Sequence, residues 1–150
     1  MRKQSILLVL IAMMISNIVL AGNVVTPRFQ IVVEGHQLIS DDDISSFDWD
    51  SQTIYLTAKA QDRIAALPWE WVPLQHSSFV VLIDGDQAYS GHVCSLLSSL
   101  SPPAGPVISW PIGRLRNYFQ IHPDCTGSNL DIRFDESVRR TLIELGKIEV

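Results

Sequence analysis

The sequence has few basic residues and only two cysteines, and each shortage argues against certain classes of partner or reactive site. It contains 11 Lys and Arg against 16 Asp and Glu. Nucleic acids and anionic membrane surfaces attract clustered Lys and Arg, so this balance argues against either as the main partner. The cysteines do not form a CxxC pair, and the sequence has no Gly-x-Ser-x-Gly elbow, internal repeat or low-complexity tract. No motif in the chain therefore indicates a particular catalytic reaction.

Residues 1–21 have the three parts of a secretory signal peptide. Arg2 and Lys3 form a positive start, a mostly apolar stretch follows from Ile6 to Leu20, and cleavage after Ala21 would fit. The apolar stretch is shorter than the roughly 20 residues of a membrane span, although an uncleaved anchor stays the alternative. We expect residues 22–150 to be a single exported α+β domain, periplasmic or secreted. After cleavage the domain would have no stable membrane anchor. It would contain 9 basic and 16 acidic residues and carry a net charge of −7.

Both cysteines, Cys94 and Cys125, lie in the exported part. In an oxidising compartment an even pair most often forms a disulfide. The loop that it closes would stabilise the fold by roughly 3–4 kcal/mol in the chain-entropy description. We therefore predict a bond between Cys94 and Cys125.

The stretch from Ser78 to His92 predicts a hairpin at the centre of the sheet. Five apolar residues, Phe79 to Ile83, are followed by Asp84-Gly85, a strong signal for a tight turn between strands. A continuous apolar run is typical of a strand covered on both faces. A buried core helix is the alternative, which the β-branched residues and the turn disfavour.

Two helices are predicted on either side of this hairpin. Thr57 can cap a helix from Ala58 to Leu67, and Pro68 ends it. Asp135 can cap a final helix, and Gly146 stands where such helices end.

Further strands are predicted at Phe29 to Ile39, with a bulge at Gly35, and at Thr53 to Leu56. Val107 to Ile112 and the alternating stretch Leu130 to Phe134 follow, whereas Gly113 to Asn129 is interpreted as mostly loop. The predicted fold class is α+β, a mostly antiparallel sheet of about five or six strands with two helices packed on one face.

Residues 41–110 resemble the first periplasmic, or head, domain of the protein-translocation subunit SecD. The similarity is carried by Asp43-Ile44-Ser45, by Ile54-Tyr55-Leu56-Thr57 leading into the first helix, and by the run from Phe79 to Ser90 with its Asp84-Gly85 turn. The resemblance implies a compact α+β head that acts outside the cytoplasm and contacts polypeptides. It implies nothing about proton-driven translocation, because the family's set of transmembrane helices is missing.

Acidic residues cluster where calcium could bind, at Asp41–Asp43, Asp48 and Asp50. The stretch that starts at Asp48 does not match an EF-hand loop, because Thr53 stands where Gly is needed and Lys59 stands where Glu is needed. We interpret the acidic run as a solvated turn in which carboxylates cap backbone N–H groups.

His76, His92 and Cys94 are a conceivable zinc trio, but they lack the spacing of a tetrahedral site. Serines near His92 could form a Ser-His-Asp triad, but such a site is recognised by the geometry of its side chains, which the sequence does not define. We predict no metal, no cofactor and no catalytic residue. A small secreted hydrolase stays the alternative function.

Aromatic residues carry the predicted binding site. Trp69 and Trp71 are two residues apart between Pro68 and Pro73, so both rings share one face if the loop is extended. Tyr89, in the return arm of the hairpin, is the third predicted contact residue. The alternatives are that the tryptophans cover the end of the core, or that a peptide joins an exposed sheet edge. The predicted function is binding of another protein or peptide in the cell envelope or outside the cell.

Overall fold

A computed structural model of the chain describes residues 25–67, 77–95, 104–110, 117–124 and 131–149. It contains eight strands: β1 (Phe29–Val33), β2 (His36–Ser40), β3 (Ile44–Asp48), β4 (Thr53–Leu56), β5 (Ser77–Ile83), β6 (Asp86–Ser95), β7 (Val107–Trp110) and β8 (Tyr118–His122). The helices are α1 (Ala58–Ala65), α2 (Glu136–Glu144) and a short 3-10 helix, Asp41–Asp43. In the described part of the chain, neither α-helix is long and apolar enough to cross a membrane.

The strands form one mixed sheet in the order β2-β1-β5-β6-β7-β8-β4-β3. Every neighbouring pair is antiparallel except β6 and β7, which run parallel with His92 opposite Val107. The prediction of five or six mostly antiparallel strands is therefore wrong in strand number and in this pairing. The predicted hairpin is confirmed, since β5 pairs antiparallel with β6, and both are interior strands, third and fourth in the order. Its turn residues Asp84 and Gly85 have φ angles of 50° and 91°, as a tight hairpin requires.

The connection between the two edge strands shows that the sheet curls. β2 and β3 lie at opposite edges, yet only the 3-10 helix Asp41–Asp43 joins them. The four Cα steps from Ser40 to Ile44 reach at most about 14 Å. Eight strands laid flat would spread over roughly 34 Å. The edges must therefore bend toward each other, which gives the sheet the form of a half-barrel.

Both helices pack on the core that this curled sheet encloses. Ala60 and Ile64 of α1 and Val138 and Leu142 of α2 belong to the same buried cluster as the inward residues of the strands. The predicted helix starts are confirmed. The Thr57 hydroxyl accepts the N–H of Ala60, and Asp135 caps the first turn of α2.

Three local predictions are wrong. The predicted strand Phe29 to Ile39 is split into β1 and β2 by a turn at Glu34 and Gly35, both with positive φ. The segment around β8, predicted as loop, contains a strand that buries Phe119 and Ile121. The alternating residues from 131 to 134 form no strand, and Phe134 remains 41% exposed.

The acidic run is confirmed as a structural turn. One carboxylate oxygen of Asp43 accepts the N–H and the hydroxyl of Ser40, at 2.8 and 3.0 Å, and the Arg63 guanidinium at 2.7 Å. Asp41 accepts the N–H of Arg28 at 3.1 Å. These carboxylates therefore hold the connection between the sheet edges together.

Candidate functional site

A cleft of about 470 Å³ lies at the β3 edge of the sheet. Its walls come from two regions of the chain that are far apart in sequence, residues 46–55 and residues 139–149. The cleft is lined by residues 46–50 of β3 and the following turn with Tyr55 of β4, Arg139 of α2, and residues 147–149 after α2. The cleft therefore forms only where the edge strand, the second helix and the C-terminal segment meet.

The irregular start of β3 shapes the cleft floor. The pairing of β3 with β4 slips between Ile44 and Ser46, so that Ser46 lies opposite Tyr55. The Ser45 hydroxyl donates to the Tyr55 carbonyl at 3.1 Å, which fixes this bulge. Bulges are typical of sheet edges, where they redirect side chains and interrupt pairing.

The turn after β3 is held by Asp48. One of its carboxylate oxygens accepts the N–H groups of Asp50 and Ser51, each at 3.1 Å. Hydrogen bonds from Ser51 are the main cause that lowers the pKa of Asp48 below its ordinary value. The Gln52 amide donates to the Trp49 carbonyl at 2.7 Å and fixes the other end of the turn. Asp48 is thus kept ionised at the cleft while its turn positions Trp49.

The C-terminal segment lies along the outer edge of β3. Gly146, with a φ of 67°, ends α2 and lets the chain turn toward the strand. The Phe47 N–H then donates to the Lys147 carbonyl at 2.7 Å. The Lys147 ammonium donates to the Ile44 carbonyl, also at 2.7 Å. The edge of β3 therefore already pairs with one additional segment of chain.

Aromatic rings cluster around this edge. Trp49 packs between Phe47 and Phe134, with ring centroids 6.0 and 5.6 Å away. Tyr55 is 38% exposed and packs against Tyr118 at 6.0 Å. Phe47, Trp49 and Tyr55 line the cleft, and of these Phe47 is buried.

The cleft has more acidic than basic side chains. Asp48, Asp50 and Glu149 line it together with Arg139 and Lys147. Arg139 lies 3.5 Å from Glu136, whereas the Lys147 ammonium bonds to the neutral Ile44 carbonyl and keeps its positive charge. Within the described ranges, none of the three carboxylates is in an ion pair. The cleft therefore has an excess of negative charge.

The structure separates the predicted site residues from this cleft. Trp69 and Trp71 lie outside the described residues. Tyr89 is only 5% exposed and packs edge-on against Phe79 at 6.4 Å. Burial raises the pKa of its phenol well above the ordinary value. Tyr89 is consequently a core residue and presents no contact surface.

Cys94 lies in β6 and is half-buried, whereas Cys125 and His76 lie outside the described residues. The disulfide therefore stays a prediction. Across the described part of the chain, no three His, Cys, Asp or Glu side chains are grouped so that they could hold a metal.

The sequence reasoning missed Trp49 and Tyr55. One signal was available, because Trp49 stands between Asp48 and Asp50 directly after a stretch that could form a strand. A tryptophan flanked by carboxylates in a turn is expected to keep part of its ring at the surface, and Trp49 is half-buried where it packs against the core. No sequence signal indicated that residues 147–149 would line the cleft, because their position depends on how the chain turns after α2.

Comparisons of the chain with family models, with curated proteins and with solved structures gave no match. The resemblance of residues 41–110 to the SecD head domain therefore stays a prediction.

Proposed function

We propose that this protein is an exported domain that binds an extended segment of another protein at the β3 edge. The observation that carries the proposal is the open cleft of about 470 Å³ beside β3, which Trp49 and Tyr55 line. The Phe47 N–H already pairs with the Lys147 carbonyl, so the bound segment is held by the side chains of the cleft and not as an added strand at this point. Pockets beside a strand edge select the side chains of a bound peptide.

The side chains of the cleft suit such a role. Trp49 and Tyr55 offer large, rigid rings together with an N–H and an O–H group. Residues of these types contribute most of the binding energy at many protein interfaces. Export is supported by the signal-like residues 1–21, and a protein partner is supported by the scarcity of basic residues.

Binding of selected peptides to protein made from the full sequence tests the proposal. Nine-residue peptides chosen from a random display library should lose at least about tenfold in affinity when Tyr55, which lines the cleft and is 38% exposed, is replaced by Ala. Ile132→Ala is the matched control, because Ile132 is as exposed as Tyr55 but does not line the cleft. Equal losses in the two variants, or no selected peptide, would overturn the proposal.

The small secreted hydrolase makes a different prediction. In that case a purified preparation would turn over an ester or peptide substrate, and His92→Ala would abolish the turnover. The peptide-binding domain should show no turnover that depends on His92.

A further inference from the structure

The charges of the cleft indicate which peptide it accepts, an inference that rests on the proposed function. Asp48, Asp50 and Glu149 line the cleft, and all three are exposed. In the part of the chain that the structure describes, they have no cationic partner. The Asp48 carboxylate is held in place by the turn that it caps. Because Asp48 is fixed, negative charge stands at the rim before any ligand arrives.

The aromatic walls favour the same kind of ligand. A cation placed over the face of Trp or Tyr is attracted by the ring's electrons. Arg133 shows this contact beside the same aromatic cluster, with its guanidinium 5.4 Å from the centre of the Phe134 ring that packs on Trp49. Trp49 and Tyr55 line the cleft beside the carboxylates. A positive side chain could therefore use rings and carboxylates together.

The carboxylates of the cleft outnumber its cations. Arg139 lies beside Glu136, and the Lys147 ammonium is held against the Ile44 carbonyl of β3. An anionic ligand would have to approach three carboxylates. Like charges brought together at an interface select against the wrong partner.

We propose that the segment bound at the β3 edge carries a lysine or arginine whose cationic end enters this cleft. Its basic side chain lies beside the rings and the carboxylates that line the cleft. The partner is thus a protein with an exposed, extended and basic segment.

Parallel selections from one random nine-residue display library test the inference. The first uses the wild-type protein and the second uses the double variant Asp50→Asn, Glu149→Gln. Both residues are exposed at the surface, so the variant should fold normally. Asp86→Asn, an exposed acid away from the cleft, is the matched control.

Wild-type protein and the Asp86→Asn control should enrich peptides with Lys or Arg at one register, and the double variant should not. Replacing that Arg by neutral citrulline should weaken binding to wild-type protein by about tenfold and to the double variant far less. Selected peptides without basic enrichment would overturn this inference while leaving the proposed function standing. A failure to select any peptide would overturn both.

Discussion

The main-chain N–H of Phe47 in β3 donates a 2.7 Å hydrogen bond to the carbonyl of Lys147, which follows α2. This contact joins an edge of the curled sheet to the last described segment of the chain. It covers this part of the β3 edge, beside the open cleft.

Lys147 should stabilise the fold through its ammonium as well as its backbone. Lys147→Met keeps the aliphatic stem but removes the hydrogen bond to the Ile44 carbonyl. We expect a loss of about 1 kcal/mol in the free energy of unfolding, measured by denaturant titration. Lys59→Met, at an exposed position of α1, should change it by less than about 0.5 kcal/mol. Equal effects would contradict a specific role for Lys147.

Gly91 should be intolerant of any side chain. A Cβ there would lie 2.6 Å from the Phe79 ring and would overlap the Pro106 carbonyl oxygen, which belongs to the backbone. Gly91→Ala should therefore destabilise the fold by about 1–3 kcal/mol, the usual range for overpacking. Ser90→Ala, at the exposed neighbouring position of β6, is the control in a thermal melt. A melting temperature unchanged by Gly91→Ala would contradict the close packing of β5 on β6.

Asp135 should make stability fall at acid pH. Its carboxylate accepts the hydroxyl and N–H of Ser137 and the N–H of Val138, and the Ser137 hydroxyl is the main cause that lowers its pKa. Because the folded pKa lies below the unfolded value, the stabilisation is present above about pH 4. It is lost as the pH falls through the lowered folded pKa.

Asp135→Ala should consequently cost about 1 kcal/mol at pH 7, as for the loss of a helix cap. Its stability should also decline less between pH 5 and pH 2 than that of the wild type, as urea titrations across that range can measure. A parallel decline in both proteins would show that Asp135 does not drive the acid loss.

The predicted disulfide can be tested by labelling thiols in the exported protein. Bonded cysteines give no labelled thiol, and Cys94→Ala and Cys125→Ala should lower stability equally. The expected loss is about 3–4 kcal/mol in the chain-entropy description. Two reactive thiols per chain would rule the bond out.

Local chemistry allowed part of the fold to be predicted. The Asp84-Gly85 turn and the caps at Thr57 and Asp135 act over a few residues, and the structure confirms all three. The parallel pairing of β6 with β7, with His92 opposite Val107, could not be predicted, because the sequence of a strand does not specify which distant strand it pairs with.

The alternation of apolar and polar residues also led to a wrong strand prediction, at a place where tertiary packing determines the structure. The pattern that contains Ile132 and Phe134 suggested a strand, yet both are about 40% exposed and Phe134 packs on Trp49 instead. Phe119 and Ile121 alternate just as clearly and do form β8. The site was missed for a related reason, since the cleft joins Trp49 to residues 147–149 through the path of the chain after α2.

Photocrosslinking in cells tests the central claim most directly. A photoreactive p-benzoylphenylalanine is placed at Ser46, which lines the cleft on β3, or at Ser90, which is exposed on the interior strand β6. Illumination of cells that produce each variant should yield a crosslinked partner from position 46 and none from position 90. A partner trapped from position 90 but not from position 46 would contradict binding at the β3 edge.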